Sequence, residues 1–462
     1  MRSMNKKTDW KNKVIYQIYP RSFMDSSGNG TGDLNGIKSK VNYIKTLGVD
    51  YVWISPFFQS PQKDFGYDVS NYRKVDKLFG SNDDFENLVE IFHDNDIKVI
   101  IDLVLSHTSD EHDWFKESCK KTKNQFTDWY VWADGEENKP PNNWLSVFGG
   151  SSWKWDEKKE QFFLHNFLES QPDLNFHNID VQNQMLNEIH FWLDFGIDGF
   201  RFDVINFLFH DQDLRNNPYK DASDVRPLGF NKDNPYGFQH HKFDNTQGDT
   251  LIYLEKIRKL LNKYNAISIG EVVSDDPLKT IADYTNNQRL HMAYCFEFLS
   301  DDLNFETIDE IVNSFFDQNP HSWPCWAFSN HDATRIASRV NKSPKEIMGK
   351  LLSLKGNICI YQGEELGLKN SILERKYIRD PFGLNFWPKF KGRDGCRTPF
   401  PWNSKQKNYG FSSGKTWLPC DKKFEKLAVD IQENDKNSML NFTKEKISQR
   451  KIKLISSSGF RK

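Results

Sequence analysis

Short apolar runs separated by amphipathic stretches recur along the whole chain. Eight of these runs are five to eight residues long and rich in β-branched or aromatic residues. Continuous apolar runs of this length are typical of strands that are buried on both faces of a parallel sheet. The pattern predicts strands at residues 14–19, 51–55, 98–105, 199–205, 266–272, 292–298, 325–330 and 357–361.

Helical spacing fills the intervals between the predicted strands. Apolar residues repeat every three or four positions over residues 34–47, where Gly48 ends the pattern, which predicts one helix. The same spacing over residues 85–92 follows a helix start signal at Asn82 and Asp83. Eight strands that alternate with helices favour a (β/α)₈ TIM barrel, and a doubly wound open sheet is the alternative.

Two long connections interrupt this alternation. The first follows the third predicted strand, is rich in Trp, Asn, Gly and Pro, and is far longer than an ordinary loop in such a fold. We therefore predict an inserted subdomain at residues 108–176, with the catalytic barrel formed by residues 1–107 and 177–462. A second long loop covers residues 206–249. Both connections leave the carboxyl ends of strands, the face where barrel enzymes have their active sites.

Composition narrows the class of protein. The 462 residues are 37% hydrophobic and 27% charged with a formal net charge of −2, values that fit a globular protein and exclude a typical nucleic-acid binder. The six cysteines form no C-x-x-C pair, so zinc or redox chemistry is not expected. The basic amino terminus is not followed by an apolar segment, and no apolar run could span a membrane. We expect a cytoplasmic protein.

Polar residues occur where several predicted strands end. They are Ser106 and His107, Arg201 and Asp203, Glu271, and the sequence from Asn330 to Asp332. A carboxylate in an apolar strand is costly unless it is paired or functional, and each one alone could be a structural ion pair. Three carboxylates on one barrel face, with two histidines and an arginine, favour glycoside hydrolysis, which needs an anionic nucleophile and a protonated acid.

The sequence resembles the α-amylase superfamily, glycoside hydrolase family 13, in its α-glucosidase and oligo-1,6-glucosidase branch. Four motifs occur in the family order on the predicted strands, and the branch motif QPDLNF lies at residues 171–176. The four motifs are DLVLSH at 102–107, GFRFDVIN at 199–206, GEV at 270–272 and FSNHD at 328–332. The resemblance implies a TIM barrel enzyme that hydrolyses terminal α-glucosidic bonds of short isomaltose- or maltose-type α-glucosides with retention.

The resemblance also implies roles for the acidic residues. Asp203 would be the nucleophile, Glu271 the general acid and base, and Asp332 the group that holds the 2- and 3-hydroxyls of the sugar. Arg201 lies two residues before Asp203, so both side chains point to the same face of the strand and the guanidinium would keep Asp203 ionised. No cofactor is implied for catalysis.

Further sugar-binding residues follow from the same resemblance. His107 and His331 would donate hydrogen bonds to hydroxyls of the same sugar. Tyr67 would stack on the terminal glucose, and Asp68 would accept from its 4- and 6-hydroxyls, which closes the pocket and makes the enzyme exo-acting. Arg397 would reach the terminal glucose from the loop after the eighth strand.

Two aromatic residues and one valine are expected at the pocket wall. Phe148 and Phe167 are candidate wall residues, with packing inside the insertion as the alternative. Val204 follows the nucleophile, so in a strand its side chain would point away from Asp203 and still narrow the leaving-group side. In the resembled branch, valine here accompanies α-1,6 specificity. The stretches at 209–218 and 321–332 instead resemble relatives that prefer short α-1,4 substrates.

A loop near the amino terminus resembles the cation loop of this branch. Its expected ligands are Asp25, Ser27, Asn29, Thr31 through its carbonyl, and Asp33. Alternating oxygen ligands suit a structural Ca²⁺ or Mg²⁺, and a metal-free glycine-rich turn is the alternative.

Several alternatives share the same catalytic residues. They are an isomerase or transglucosylase that handles sucrose or trehalose, and a hydrolase of a phosphorylated disaccharide. Amino-acid-transporter heavy chains also resemble the family, but they lack the acids and carry a membrane span. The expected partner is a small oligosaccharide, with no nucleic acid and no membrane, and no pattern predicts an oligomeric state. Relatives continue into a β-sandwich, so the chain is expected to lack that domain, and a non-hydrolytic sugar-binding remnant is a remote alternative.

Overall fold

Eight parallel strands form the centre of the computed structural model, which describes residues 9–221, 234–286, 288–301 and 303–458. The strands are β1 (Val14–Ile18), β2 (Tyr51–Ile54), β3 (Lys98–Val104), β4 (Gly199–Asp203), β5 (Ile267–Val272), β6 (Met292–Cys295), β7 (Cys325–Ala327) and β8 (Asn357–Tyr361). They are hydrogen-bonded in the order β6-β5-β4-β3-β2-β1-β8-β7. A parallel bridge between Ala293 and Pro324 joins the two ends. The (β/α)₈ barrel is therefore confirmed.

Helices surround the barrel and cover its outer face with their apolar sides. Strands β1, β4, β5 and β8 are buried along their whole length, as expected for a parallel sheet between helices and a filled interior. The α-helices are Pro20–Phe23, Leu34–Ser39, Val41–Leu47, Asn82–Asp94, Asp113–Ser118, Ile179–Asp194, Gly248–Tyr264, Pro277–Thr285, Ile308–Gln318, Ile336–Arg339, Pro344–Ser353, Pro381–Phe386, Val429–Glu433 and Met439–Ser458.

Some boundaries differ from the predicted ones. The helix predicted at 34–47 is two helices that meet at Lys40, whose N–H turns back to the carbonyls of Ile37 and Lys38. The Ser39 hydroxyl donates to the carbonyl of Gly36 at 2.7 Å, and such side-chain bonds compete with the helical pattern. Strands β6 and β7 end earlier than predicted, because a 3₁₀ turn (Phe296–Phe298) follows β6 and an irregular loop follows β7.

The range predicted as an insertion, residues 108–176, contains its own small sheet. Three antiparallel strands pair in the order Trp132–Ala133, Gln161–Leu164 and Trp153–Asp156. A further antiparallel pair, Phe58–Gln59 and Asn71–Val75, follows β2.

The other predicted features lie partly beyond the described residues. Of the second long loop, residues 222–233 lie outside them, as do the basic residues 1–8 and the carboxyl-terminal residues 459–462. In the described ranges, no strand follows β8. Nor does any helix in those ranges have the length and apolar character needed to cross a bilayer.

Strand register brings polar residues of four neighbouring strands to two adjacent levels near the strand ends. Asp102 of β3 lies opposite Arg201 of β4, and Glu271 of β5 lies opposite Tyr294 of β6. Asp203 is the last residue of β4. Because parallel strands end on the same side of a barrel, these side chains meet at its carboxyl-terminal face.

Candidate active site

One guanidinium holds the two acids that were predicted to carry out the chemistry. Nη1 of Arg201 donates to Oδ1 of Asp203 at 2.6 Å, and Nη2 of the same side chain lies 2.5 Å from Oε2 of Glu271. Arg201 is fully buried, so its charge is not screened by solvent. One guanidinium therefore holds both carboxyl groups near the ends of β4 and β5.

Two further groups complete this cluster and were given no role from the sequence. Asp102 accepts from Nη1 of Arg201 at 2.8 Å. The Tyr294 hydroxyl accepts from Nε and Nη2 of Arg201 and donates to Oε1 of Glu271 at 3.0 Å. Asp102 could have been found from the sequence, because an acidic residue inside an apolar strand is unusual. Tyr294 could not, because a tyrosine in a predicted strand looks like an ordinary aromatic residue of the core.

Burial raises the pKa of both acids, but to different values. The pKa of Asp203 is raised to about 7, and the positive charge of Arg201 opposes this rise. The pKa of Glu271 is raised to about 8 by burial, with the same opposing charge and with repulsion from Asp203. The two groups therefore hold one proton between them near neutral pH, which is the charge state that a nucleophile paired with a general acid needs.

Asp332 lies among cations on the opposite side of the cluster. Its Oδ1 accepts from Arg397 at 2.7 Å and from Arg393 at 3.1 Å. Burial alone would raise its pKa, but His331 and the two arginines outweigh burial and lower it below the ordinary range. Asp332 is therefore ionised throughout the physiological range and can accept hydrogen bonds from sugar hydroxyls.

The two predicted histidines occupy different positions. His107 lines the pocket, with Nε2 between the carbonyl oxygen of Tyr67 and the side-chain amide of Gln171. Burial lowers its pKa to about 4, so it is neutral at pH 7. His331 does not line the pocket, because its Nε2 contacts the Tyr67 hydroxyl and Asp332. His331 supports Tyr67, because the two rings stack with 5.3 Å between their centroids.

Asp64, not the predicted Asp68, is the carboxylate that lines the pocket in this loop. Asp68 is fully buried, and its oxygens accept from the Ser60 hydroxyl and from the N–H groups of Lys63 and Asp64. It therefore holds the turn. Asp64 bonds to Nη2 of Arg393 at 2.7 Å, and burial raises its pKa to about 6. Asp64 lies four residues before Asp68, and only the direction of the chain in the turn decides which of the two faces the pocket.

Arg393 replaces the predicted Arg397 as the arginine that lines the pocket. Its guanidinium forms ion pairs with Asp64, Asp332 and Asp380. Arg397 lies behind Asp332 and donates to the carbonyl of His331 at 2.6 Å.

Phe148, Phe167 and Val204 line the pocket at the positions where wall residues were predicted. Five further apolar side chains accompany them: Val147, Phe207, Val273, Phe296 and Phe382. They lie in turns and short helical segments after or between the strands, where no apolar period marks a pocket residue, so sequence reasoning did not find them. The lining combines an apolar majority of surface with a few convergent polar groups, as small-molecule sites usually do.

Val204 has an unusual backbone conformation. Strand β4 was predicted to continue past it, but its φ of 33° and ψ of 50° lie in the left-handed region and end the strand at Asp203. This conformation is costly for a β-branched residue and is found mainly at functional sites. The turn directs the Val204 side chain toward the pocket, contrary to the alternation expected in a strand, and places its N–H 3.1 Å from Oε2 of Glu271.

The predicted cation loop is closed by its own hydrogen bonds. Asp25 accepts from the N–H groups of Ser27, Gly28 and Gly30 and from two hydroxyls, one of them on Ser412. Asp33 accepts four more such bonds. A carboxylate offers about four lone-pair positions, so both are saturated. The residues therefore do not fit a cation in this conformation. Among the described residues, no cluster of three or more His, Cys, Asp or Glu side chains could hold a metal.

Two similar proteins of known family carry glucosidase names. The α-amylase catalytic domain model matches residues 17–459. A probable α-glucosidase of Rhizobium meliloti is 47% identical over 96% of this chain and 82% of its own length. An oligo-1,6-glucosidase of Bacillus cereus is 35% identical over 96% of this chain and 84% of its own.

A solved structure gives the same result. The α-glucosyl transfer enzyme XgtA superimposes with a TM-score of 0.92 at 51% identity, over 95% of this chain and 83% of that one. With four motifs in order and a barrel that carries the acids at strand ends, the family is established. The chain belongs to the α-amylase family of glycoside hydrolases, in its α-glucosidase and oligo-1,6-glucosidase branch.

Proposed function

We propose that the protein is a retaining, exo-acting α-glucosidase that removes terminal glucose from short α-glucosides of isomaltose or maltose type. The observation that carries this proposal is the ion-pair arrangement in which Arg201 binds Asp203 and Glu271 together. Such an arrangement supplies a fixed anion and an adjacent acid for a double displacement.

The proposed reaction has two steps. Asp203 attacks the anomeric carbon while Glu271 gives its proton to the departing oxygen, which leaves a β-glucosyl-enzyme and a free aglycone. The Glu271 carboxylate then takes a proton from water, whose oxygen attacks the same carbon and releases Asp203. Two inversions give net retention. Arg201 offsets the negative charge of Asp203 at the start and at the end.

Exo-action is supported by the ion pairs of Arg393 with Asp64 and Asp332, which join residues from separate loops at the polar side of the pocket. We infer that this barrier stops a chain from extending past the terminal sugar. We infer that Asp64, Asp332 and His107 bind the hydroxyls of this sugar and that Tyr67 packs against its ring.

A phosphorylated substrate is less well supported. A phosphate ester requires a free cation in the site. Among the described residues, Arg393 is the one Lys or Arg side chain that lines the pocket, and it is already paired with three carboxylates.

Glucose release from a substrate panel tests the proposal. The purified enzyme is incubated with maltose, isomaltose, sucrose, trehalose and trehalose-6-phosphate. We expect glucose from maltose or isomaltose and little from the phosphorylated sugar. Efficient turnover of trehalose-6-phosphate alone, or conversion of sucrose without release of glucose, would contradict it. The Asp203→Asn variant is the control for contaminating activity.

A further inference from the structure

Gln17 is a fully buried glutamine of β1, one residue before that strand ends, and its side chain does not line the pocket. Its amide nitrogen lies 2.7 Å from Nδ1 of His331 and donates to the Ser55 hydroxyl oxygen at 3.2 Å. Its Oε1 has no hydrogen-bond partner among the described residues. An unpaired buried oxygen costs free energy, so the orientation of this amide needs a physical reason.

The ring of His331 supplies that reason. Burial lowers the pKa of His331 well below its usual range, so the ring is neutral at pH 7 and carries one N–H. Its Nε2 lies 3.1 Å from Oδ2 of the ionised Asp332 and contacts the Tyr67 hydroxyl. A bare Nε2 would be repelled by the carboxylate, so the proton belongs on Nε2. Nδ1 is then an acceptor, and it requires the NH₂ end of the Gln17 amide.

The Tyr67 hydroxyl extends this arrangement to the acid cluster. It accepts from Nε2 of His331 and donates its own single proton to Oδ2 of Asp102 at 3.1 Å. The other oxygen of Asp102 accepts from Arg201 at 2.8 Å. The opposite tautomer would turn the Tyr67 hydroxyl back toward His331 and remove a donor from Asp102. The hydrogen bonds from Gln17 to Asp102 therefore all run in one direction.

We propose that Gln17 is a positioning residue that fixes the proton of His331 on Nε2 and so directs the hydrogen bonds of Asp332 and Tyr67. This inference rests on the proposed function, in which Asp332 and Tyr67 hold the terminal sugar. The grip of Asp332 on the sugar hydroxyls strengthens as the oxocarbenium ion forms. Loss of the Gln17 amide should therefore lower kcat more than it raises KM.

Nitrogen resonances test the tautomer directly. The enzyme is labelled with ¹⁵N-histidine, and the signals of His331 among the 12 histidines are those missing from the spectrum of His331→Gln. We expect a protonated Nε2 and an unprotonated, hydrogen-bonded Nδ1 in the parent. In Gln17→Met the amide donor is gone, so the Nδ1 resonance should move to the position of an acceptor without a donor. Gln17→Glu is a second variant of the same shape: its ionised carboxylate can only accept, so Nδ1 should gain a proton at high pH.

Gln362→Met is the matched control for the loss of a buried glutamine. Gln362 directly follows β8, is buried like Gln17, and accepts from the N–H of Tyr19 through Oε1. We expect both His331 resonances to keep their positions in this variant, because its amide has a different partner. Any effect of Gln17→Met that Gln362→Met shares would come from general loosening of the barrel.

Kinetics show whether Gln17 acts through His331. Gln17→Met should lower kcat about tenfold, the size expected for the loss of one buried hydrogen bond, with KM nearly unchanged. In the His331→Gln background the same substitution should cause no further loss, because the residue through which it acts is already gone. A purely structural role would lower kcat by the same factor in both backgrounds.

Three results would overturn the proposal. They are a parent enzyme with the proton on Nδ1 of His331, an unchanged kcat in Gln17→Met, and equal losses of kcat with and without His331. The resonances of the parent and of Gln17→Glu decide the tautomer even if Gln17→Met does not fold. Absence of turnover on every α-glucoside would refute the proposed function, whereas the resonances would still test the role of Gln17 in fixing the proton.

Discussion

The two sides of the pocket are built from different kinds of structure. The charged side comes largely from strand residues, with Asp203 and Glu271 fixed by the guanidinium of Arg201 between them. The apolar wall of the pocket comes from the insertion, from turns that follow the strands and from the helix Pro381–Phe386. Its residues are Val147, Phe148, Phe167, Val204, Phe207, Val273, Phe296 and Phe382, and all but Phe296 belong to one packed cluster. Charges act on the reacting atoms, whereas apolar contacts act on the departing group. We therefore expect the charged side to set the rate of the reaction and the wall to set the choice of substrate.

Removing a charge on the strand side should have the largest effect. We expect Asp203→Asn and Glu271→Gln each to lower kcat by several orders of magnitude on a natural α-glucoside, since each removes a chemical step. Thermal unfolding of both variants should remain cooperative, because the substitutions keep shape and volume. Near-normal turnover by either variant would refute the assigned roles.

The pH dependence of kcat/KM should reflect the two raised pKa values. The active form has Asp203 ionised, with a pKa of about 7, and Glu271 protonated, with a pKa of about 8. Activity should fall below the pKa of Asp203 because the nucleophile is protonated, and above that of Glu271 because the acid has lost its proton. We therefore expect a narrow maximum between these values. A flat profile from pH 5 to 9 would contradict this assignment.

Tyr294 allows a sharper form of the same test. Its hydroxyl donates to Oε1 of Glu271 and so stabilises the ionised carboxylate. Tyr294→Phe should raise the pKa of Glu271 and move the alkaline limb to higher pH while the acid limb stays in place. Equal movement of both limbs would show that the hydroxyl acts on the whole cluster.

A change on the apolar wall should affect selectivity more than rate. In the resembled branch, valine at position 204 accompanies α-1,6 specificity, and we expect the parent to prefer isomaltose to maltose. Val204→Thr should change the ratio of kcat/KM between these sugars by about ten- to two-hundred-fold toward maltose. A parent that already prefers maltose, or an unchanged ratio, would refute this role of Val204.

The smallest effect should come from the loop that contains Asp25. Because its two carboxylates are saturated by hydrogen bonds, a chelator should leave the melting temperature unchanged. Calcium or magnesium should likewise have no effect. A fall in melting temperature with chelator that calcium reverses would establish the cation site predicted from sequence, because a ligand bound to the native state stabilises it.

The same comparison explains what the sequence could predict. The spacing of apolar residues predicts the barrel strands, and acidic residues at the ends of these buried strands stand out in the sequence. Asp203, Glu271 and Asp332 could therefore be assigned to the active-site face. Backbone direction in a turn does not follow from pattern, and Asp68 was therefore chosen where Asp64 lines the pocket. Phe382, in the helix Pro381–Phe386, and Val273, just after β5, reach the wall only through tertiary packing, which leaves no local signal. Val204 was placed on the wrong side because its left-handed conformation overrides strand alternation.

Trapping the covalent intermediate tests the central claim most directly. The Glu271→Gln variant is incubated with α-glucosyl fluoride, whose leaving group needs no acid, so the first step proceeds while the second lacks its base. Mass spectrometry should find one added glucosyl residue, and peptide mapping should place it on Asp203. The double variant Asp203→Asn, Glu271→Gln should gain no mass. A glucosyl group on Asp332 or any other residue, or no adduct while the fluoride is consumed, would contradict the account.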